Sequence, residues 1–140
     1  MENLSAIFFI ICGLVLSVVD FKKQIIPDVI ILPSIVILAI LKYNETLNYS
    51  NFILATLVVI VTFSVLLYFF QDFGGGDIRF GILCSIFLGF PNIFIFFILA
   101  GAIHLILLIA FSKRVMGFAP TMFLAAIITK KIATEVWRVL

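Results

Sequence analysis

Charge is scarce in this chain: Asp, Glu, Lys and Arg make up only 11% of its 140 residues. A soluble domain of this length exposes too much surface to be clothed by so few charges, which excludes a globular water-soluble fold. The net charge of +2 is small and divided among connectors, which argues against a nucleic-acid partner. Cysteine is nearly absent as well. Cys12 and Cys84 lie inside apolar runs with no C-x-x-C spacing. Neither a disulfide framework nor a zinc site is expected, and both read as packing residues. The one histidine, His104, sits in the middle of an apolar run, where a hydrogen-bonded packing role is expected over a proton relay. No metal or cofactor is expected.

What the chain has is hydrocarbon: 65% hydrophobic residues, 17 of them Phe, and a mean hydropathy of +1.38. An all-α integral membrane protein follows, read as a single domain over residues 1–140. Charges and helix breakers divide it into six apolar segments at about 4–19, 29–42, 52–71, 79–90, 93–111 and 115–129. A spanning helix needs roughly 20 residues, so the third and fifth are comfortable and the second, fourth and sixth are short. Pro27 can open the second segment from within its first turn, and Lys42 can snorkel to the far interface. Pro91 should end the fourth. The first run has no basic residue before it and no small-x-small site ahead of Asp20, so it reads as a retained anchor and not a signal peptide. With the N-terminus outside, the inner connectors hold Lys22, Lys23, Arg79, Lys113 and Arg114. The outer regions then hold Lys42, Lys130, Lys131 and Arg138. The balance favours that orientation, and it leaves the polar loop 43–51 external.

All four aspartates (Asp20, Asp28, Asp72 and Asp77) fall in two connectors, 20–28 and 71–79, which this orientation places in the cytoplasm. Acids beside hydrocarbon are expensive and mark function. Two acid-bearing connectors suggest a two-carboxylate hydrolase, in which like charges held close share one proton, one acid ionised and one protonated. Asp77 follows Gly74-Gly75-Gly76, whose lack of side chains permits unusual backbone angles or close approach of a substrate strand. Small residues also repeat every fourth position at Gly13 and Ser17, and at Gly81, Ser85 and Gly89. This spacing lets helices approach closely and predicts a tight contact between segments one and four that joins the acids. Asp28 and Asp72 read as helix-end acids, with substrate contact as the alternative for Asp28. Lys113 and Arg114 read as headgroup anchors.

Asp20-Phe-Lys-Lys-Gln-Ile-Ile26-Pro27-Asp28 resembles the D-x-x-x-x-x-[IL]-P-[ND] signature of type IV prepilin peptidases. Gly74-Gly75-Gly76-Asp77-Ile78-Arg79 resembles their G-x-G-D-[VIL]-K signature, with Arg79 where lysine is usual. Gly117-Phe118-Ala119-Pro120-Thr121-Met122-Phe123-Leu124-Ala125 is similar to their P-[FY]-[GA]-P-x-x-x-L-A stretch. The resemblance implies an aspartic membrane peptidase with Asp20 and Asp77 as its catalytic pair. It would cut the basic leader from prepilin-like proteins at the cytoplasmic face of the cell membrane, among lipids and without a cofactor. The implied substrate carries an apolar helix after its leader. The N-terminal domain with two C-x-x-C pairs of larger bifunctional members is not in this sequence, so their N-methylation is not implied. The chain looks like the minimal core of Tad-type or archaeal preflagellin peptidases. Two other readings stay open: an intramembrane G-x-G-D protease akin to presenilin or signal peptide peptidase, and a small transporter or assembly subunit using its acids for ions.

Overall fold

The computed structural model describes residues 2–45, 49–69, 74–111 and 117–139, and among these every regular element is an α-helix. They are α1 (Glu2–Lys23), α2 (Asp28–Glu45), α3 (Tyr49–Phe69), α4 (Gly75–Leu88), α5 (Asn92–Phe111) and α6 (Ala119–Val139). Helices are dictated by the solvent, because hydrocarbon offers no partner for an unpaired peptide group. Three helices are long and apolar enough to cross a membrane: Leu4–Lys23 in α1, then α3 and α5. The three segments that look short in the sequence behave differently from these. α4 has only 14 residues, α2 has 18, and α6 gains length by continuing through Lys130 and Lys131.

The helix ends have local causes. α1 stops where Gln24 turns left-handed at φ 54°, its N–H bonded to the Asp20 carbonyl at 2.7 Å. A non-glycine residue in that region costs about 1–2 kcal/mol, so the surrounding packing must hold it there. α2 begins at Asp28, one residue later than a proline in the first turn would place it. Pro27 stands outside, and its carbonyl accepts the Ile30 and Ile31 N–H groups, each at 3.1 Å. α4 ends at Gly89, whose φ of 70° suits glycine and whose N–H reaches the Ser85 carbonyl at 2.8 Å. Pro91 follows, as expected of a stop, and α5 starts at Asn92.

α4 is the central helix, buried at Phe80, Gly81 and every position from Leu83 to Leu88. The small-residue stripes do bring helices close, but not the pair expected. A β-carbon on Gly81 would sit 2.7 Å from Phe63 and 3.0 Å from Val59, so this glycine lets α3 in. Ser85 and Thr56 of α3 share a hydroxyl contact at 2.9 Å. Gly13 likewise accommodates Phe123 of α6, which would lie 2.5 Å from an added β-carbon. The stripes therefore join α4 to α3 and α1 to α6. α1 and α4 meet instead through aromatic bulk, with Phe9 stacked on Phe87 at 4.1 Å between centroids.

At the end of the bundle remote from Asp20, Glu45 of α2 receives the Ser5 N–H and hydroxyl of α1 at 3.2 and 2.7 Å. Lys42 pairs with Glu45 at 3.2 Å and lies over the Phe87 ring, as does Lys130 of α6. Lys42, expected to snorkel outward, turns inward to a partner instead.

Candidate functional site

Asp20 lies in the last turn of α1, within the helix and not beyond it, and is only 4% exposed. A carboxylate so placed needs a partner, and it comes from the far end of the chain. The Ala119 N–H, at the start of α6, donates to Asp20 Oδ2 at 3.1 Å. Ser17, one turn before Asp20, donates to the carbonyl of the same Ala119 at 3.5 Å. Gly117 presses on the acid from above. A β-carbon there would overlap Oδ2 and stand 2.6 Å from Cγ and 2.9 Å from the Asp20 carbonyl oxygen. Gly117 therefore needs to be glycine because of Asp20, through contact and not through a left-handed φ. Pro120 follows in the first turn of α6, where its missing N–H is no loss.

Asp77 is positioned by its own turn. Gly74 caps α4, its carbonyl accepting the Asp77 N–H at 3.0 Å, while its N–H donates to Asp77 Oδ2 at 3.2 Å. This reciprocal pair is a capping arrangement with the acid at the third helical position. Asp77 is half-buried and precedes the apolar run of α4. Burial lifts its carboxyl from the ordinary 3.8 to about 6; the Gly74 N–H opposes the rise and the charge of Asp20 adds to it. Burial is the dominant cause, and the Asp20 charge is the smallest of the three.

The glycines before Asp77 divide their roles. None of Gly74, Gly75 and Gly76 has a positive φ, so the expectation of a special backbone angle does not hold. Gly75 has open space where a side chain would go. Gly76 faces Ile26, whose Cβ would be 3.1 Å from an added β-carbon. The buried Ile26 thus seats the first connector directly on the second.

Beside that contact, Arg79 of α4 forms an ion pair with Asp28 of α2. Sequence reasoning gave both residues separate roles and missed the pairing, although opposite charges at the ends of two neighbouring motifs were a signal. Asp28 also occupies the first turn of α2, as its helix-start reading has it. Pro27 caps that turn through its carbonyl. Asp72, Lys113 and Arg114 lie outside the described residues. His104 packs edge-on against Phe118, ring centroids 4.7 Å apart, and so reaches the segment that holds Asp20. Its buried Nδ1 has no hydrogen-bond partner among the described residues. Among those residues no group of three or more His, Cys, Asp or Glu side chains is placed to hold a metal.

One of the two acids is buried and the other has a raised affinity for its proton. All three sequence motifs converge on them, from residues nearly a hundred positions apart. Comparison with curated proteins and with solved structures returns no match. Comparison with protein families returns the type IV leader peptidase family over residues 7–109, a span that contains both aspartates and leaves the Gly117–Ala125 stretch outside it. A match over most of the chain settles the family: this membrane protein is a protease that belongs to the type IV leader peptidase family.

Proposed function

We propose that the chain is an aspartic endopeptidase that removes the basic leader of prepilin-like proteins at the cytoplasmic face of the cell membrane, with Asp20 and Asp77 as its catalytic pair. The observation that carries this reading is that the three motifs contact one another around the two acids, Ile26 on Gly76 and Gly117 with Ala119 on Asp20. In the active form one proton serves both carboxyls. The ionised acid takes a proton from water as the oxygen attacks the scissile carbonyl, and the protonated acid donates to the carbonyl oxygen. The tetrahedral intermediate collapses, the C–N bond breaks, and the leaving amine takes the proton. Gly74 to Gly76 form the turn that carries Asp77. The Arg79–Asp28 pair braces α2 against α4, and no nucleic acid, metal or cofactor takes part. Residues 1–140 act as one peptidase domain, N-terminus outside.

The burial of Asp20 inside a membrane-length helix favours a second reading, cleavage within the bilayer. One experiment separates them. A model prepilin is given cleavage sites at the membrane surface and several residues deeper in its apolar helix. Cleavage confined to the surface site supports the leader peptidase; equal cleavage of the deep site establishes an intramembrane protease.

A further inference from the structure

α1 and α2 run antiparallel, because Ser5 near the start of α1 bonds Glu45 at the end of α2. The chain reverses between them within the four residues Gln24 to Pro27. Gln24 makes that reversal: at φ 54° it is the one non-glycine residue with a positive φ among the described residues. Its N–H keeps the bond to the Asp20 carbonyl, at 2.7 Å, that a continuing helix would make, and yet the helix ends there. A right-handed Gln24 would add a residue to α1 and carry the connector on along the helix axis. With the left-handed turn, Ile25 faces outward at 68% exposure, while Ile26 is buried and rests on Gly76.

We infer that Gln24 is a positioning residue for the reaction: its left-handed backbone is the joint that ends α1 just after Asp20 and delivers Ile26 to the turn of Asp77, and so sets how the two acids stand to one another. The inference rests on the leader-peptidase reading and adds to it a residue that acts on the acids through its neighbours. Strained backbone persists only where the surrounding structure holds it, and it gathers at working sites.

On one side of the joint, the Asp20 carbonyl oxygen takes the Gln24 N–H and stands 2.9 Å from where a β-carbon on Gly117 would be. The Asp20 carboxylate is fixed separately by Ala119. On the other side only Ile25 lies between the joint and Ile26, too little chain to absorb a changed angle. Ile26 Cβ would be 3.1 Å from a β-carbon on Gly76, the residue before Asp77, so this close-packed contact cannot shift unnoticed. The remaining tie between connector and α4, Arg79 with Asp28, is exposed and therefore weak. The buried contact is thus the one by which the angle at Gln24 reaches Asp77. Gln24 itself is exposed, so what its position imposes is a backbone angle.

The test uses the full chain in vesicles of phosphatidylethanolamine and phosphatidylglycerol, with a basic leader joined to an apolar helix as substrate. Asparagine takes a left-handed angle readily and alanine does so no worse than glutamine, so Gln24→Asn and Gln24→Ala should cleave like wild type. Valine resists the angle, and proline forbids it and removes the N–H. Gln24→Val and Gln24→Pro should each lower kcat about tenfold or more with KM unchanged. In these two variants amide hydrogen exchange at Asp77 should quicken about tenfold or more, which a turn of local importance alone would not cause. Equal kcat across the series overturns the inference, as does unchanged exchange at Asp77. A loss in Gln24→Ala also overturns it, because the side chain would then be the agent. If wild type leaves the substrate uncut, the leader-peptidase reading fails on its own, and exchange at Asp77 in Gln24→Val and Gln24→Pro decides the joint. If neither variant inserts intact, Ile26→Ala, which keeps the turn and removes what it delivers, should quicken exchange at Asp77; no change there ends the inference.

Discussion

Asp20 and Asp77 are held by opposite kinds of structure. Asp77 is held by a peptide three residues away, in a turn bonded within the stretch Gly74 to Asp77 and backed by Ile26 against Gly76. Asp20 is held by a peptide 99 residues away and is shaped from outside by Gly117, Ser17 and Ala119. A hydrogen bond to a charged group contributes about 1.5–3 kcal/mol, so either acid loses much if its donor moves. The donors differ in what can move them. A change in the local turn disturbs Asp77, whereas Asp20 is sensitive to how α6 docks on α1.

The largest effect tests whether the two acids are equals despite this difference. Asp20→Asn and Asp77→Asn should each reduce cleavage of a model prepilin by at least about a thousandfold, and the double variant should be no worse than either, because the pair acts as a unit. Membrane insertion should be unaltered. Activity within tenfold of wild type in either single variant would remove that acid from the pair.

Next come the glycines that guard each acid. Gly76→Val should inactivate as fully as loss of Asp77, since its side chain must enter the space held by buried Ile26. Gly117→Ala should lower kcat/KM by about ten- to a hundredfold by displacing the Asp20 carboxylate. Gly75→Ala, with open space at its β-position, should change little. If Gly75→Ala and Gly117→Ala behave alike, the external hold on Asp20 is unimportant.

A smaller effect sharpens the electrostatic side. The carboxyl at Asp77 gives up its proton at about 6, so cleavage should decline as pH rises through about 6 and the pair loses its shared proton. In Asp20→Asn the like charge is gone, and the Asp77 carboxyl band in infrared titration should move to lower pH. Stability should follow the same sign. The raised value favours the folded protein below 3.8, and this contribution is lost as pH rises through about 6.

The smallest effect concerns the brace. The Asp28 and Arg79 side chains are 53% and 40% exposed, and exposed pairs contribute about 0–1 kcal/mol. Asp28→Asn should therefore keep most activity and cost little thermal stability in detergent. A dead Asp28→Asn enzyme would give this acid a direct part in the reaction.

The difference between the two acids also explains what could be read in advance. All six helices were legible from charges and breakers, because hydrocarbon enforces helices and the connectors stand out by composition. Asp77 was legible with its turn, since the hydrogen bonds that hold it come from Gly74, although the Ile26 contact on Gly76 was not. The partners of Asp20 were visible only as the separate stretch from Gly117 to Pro120, with nothing local to say what that stretch touches. Small-x-x-x-small spacing announced close approach at Gly13 and Gly81 but carried no address, so the partners turned out to be Phe123 and Phe63. The length of α6 was hidden because Lys130 resembles a boundary, while its long stem reaches the Phe87 ring.

The bond from Ala119 to Asp20 sets an order of events as the protein is made. Both aspartates precede α6 in the chain. Until Ala119 arrives, Asp20 lacks the donor that orients it, and Gly117 has not closed over it. A chain halted after α5 would carry both acids of the proposed pair without a working arrangement of them. The hold on Asp77 is complete once its own turn has formed, whereas the hold on Asp20 waits for α6 to dock.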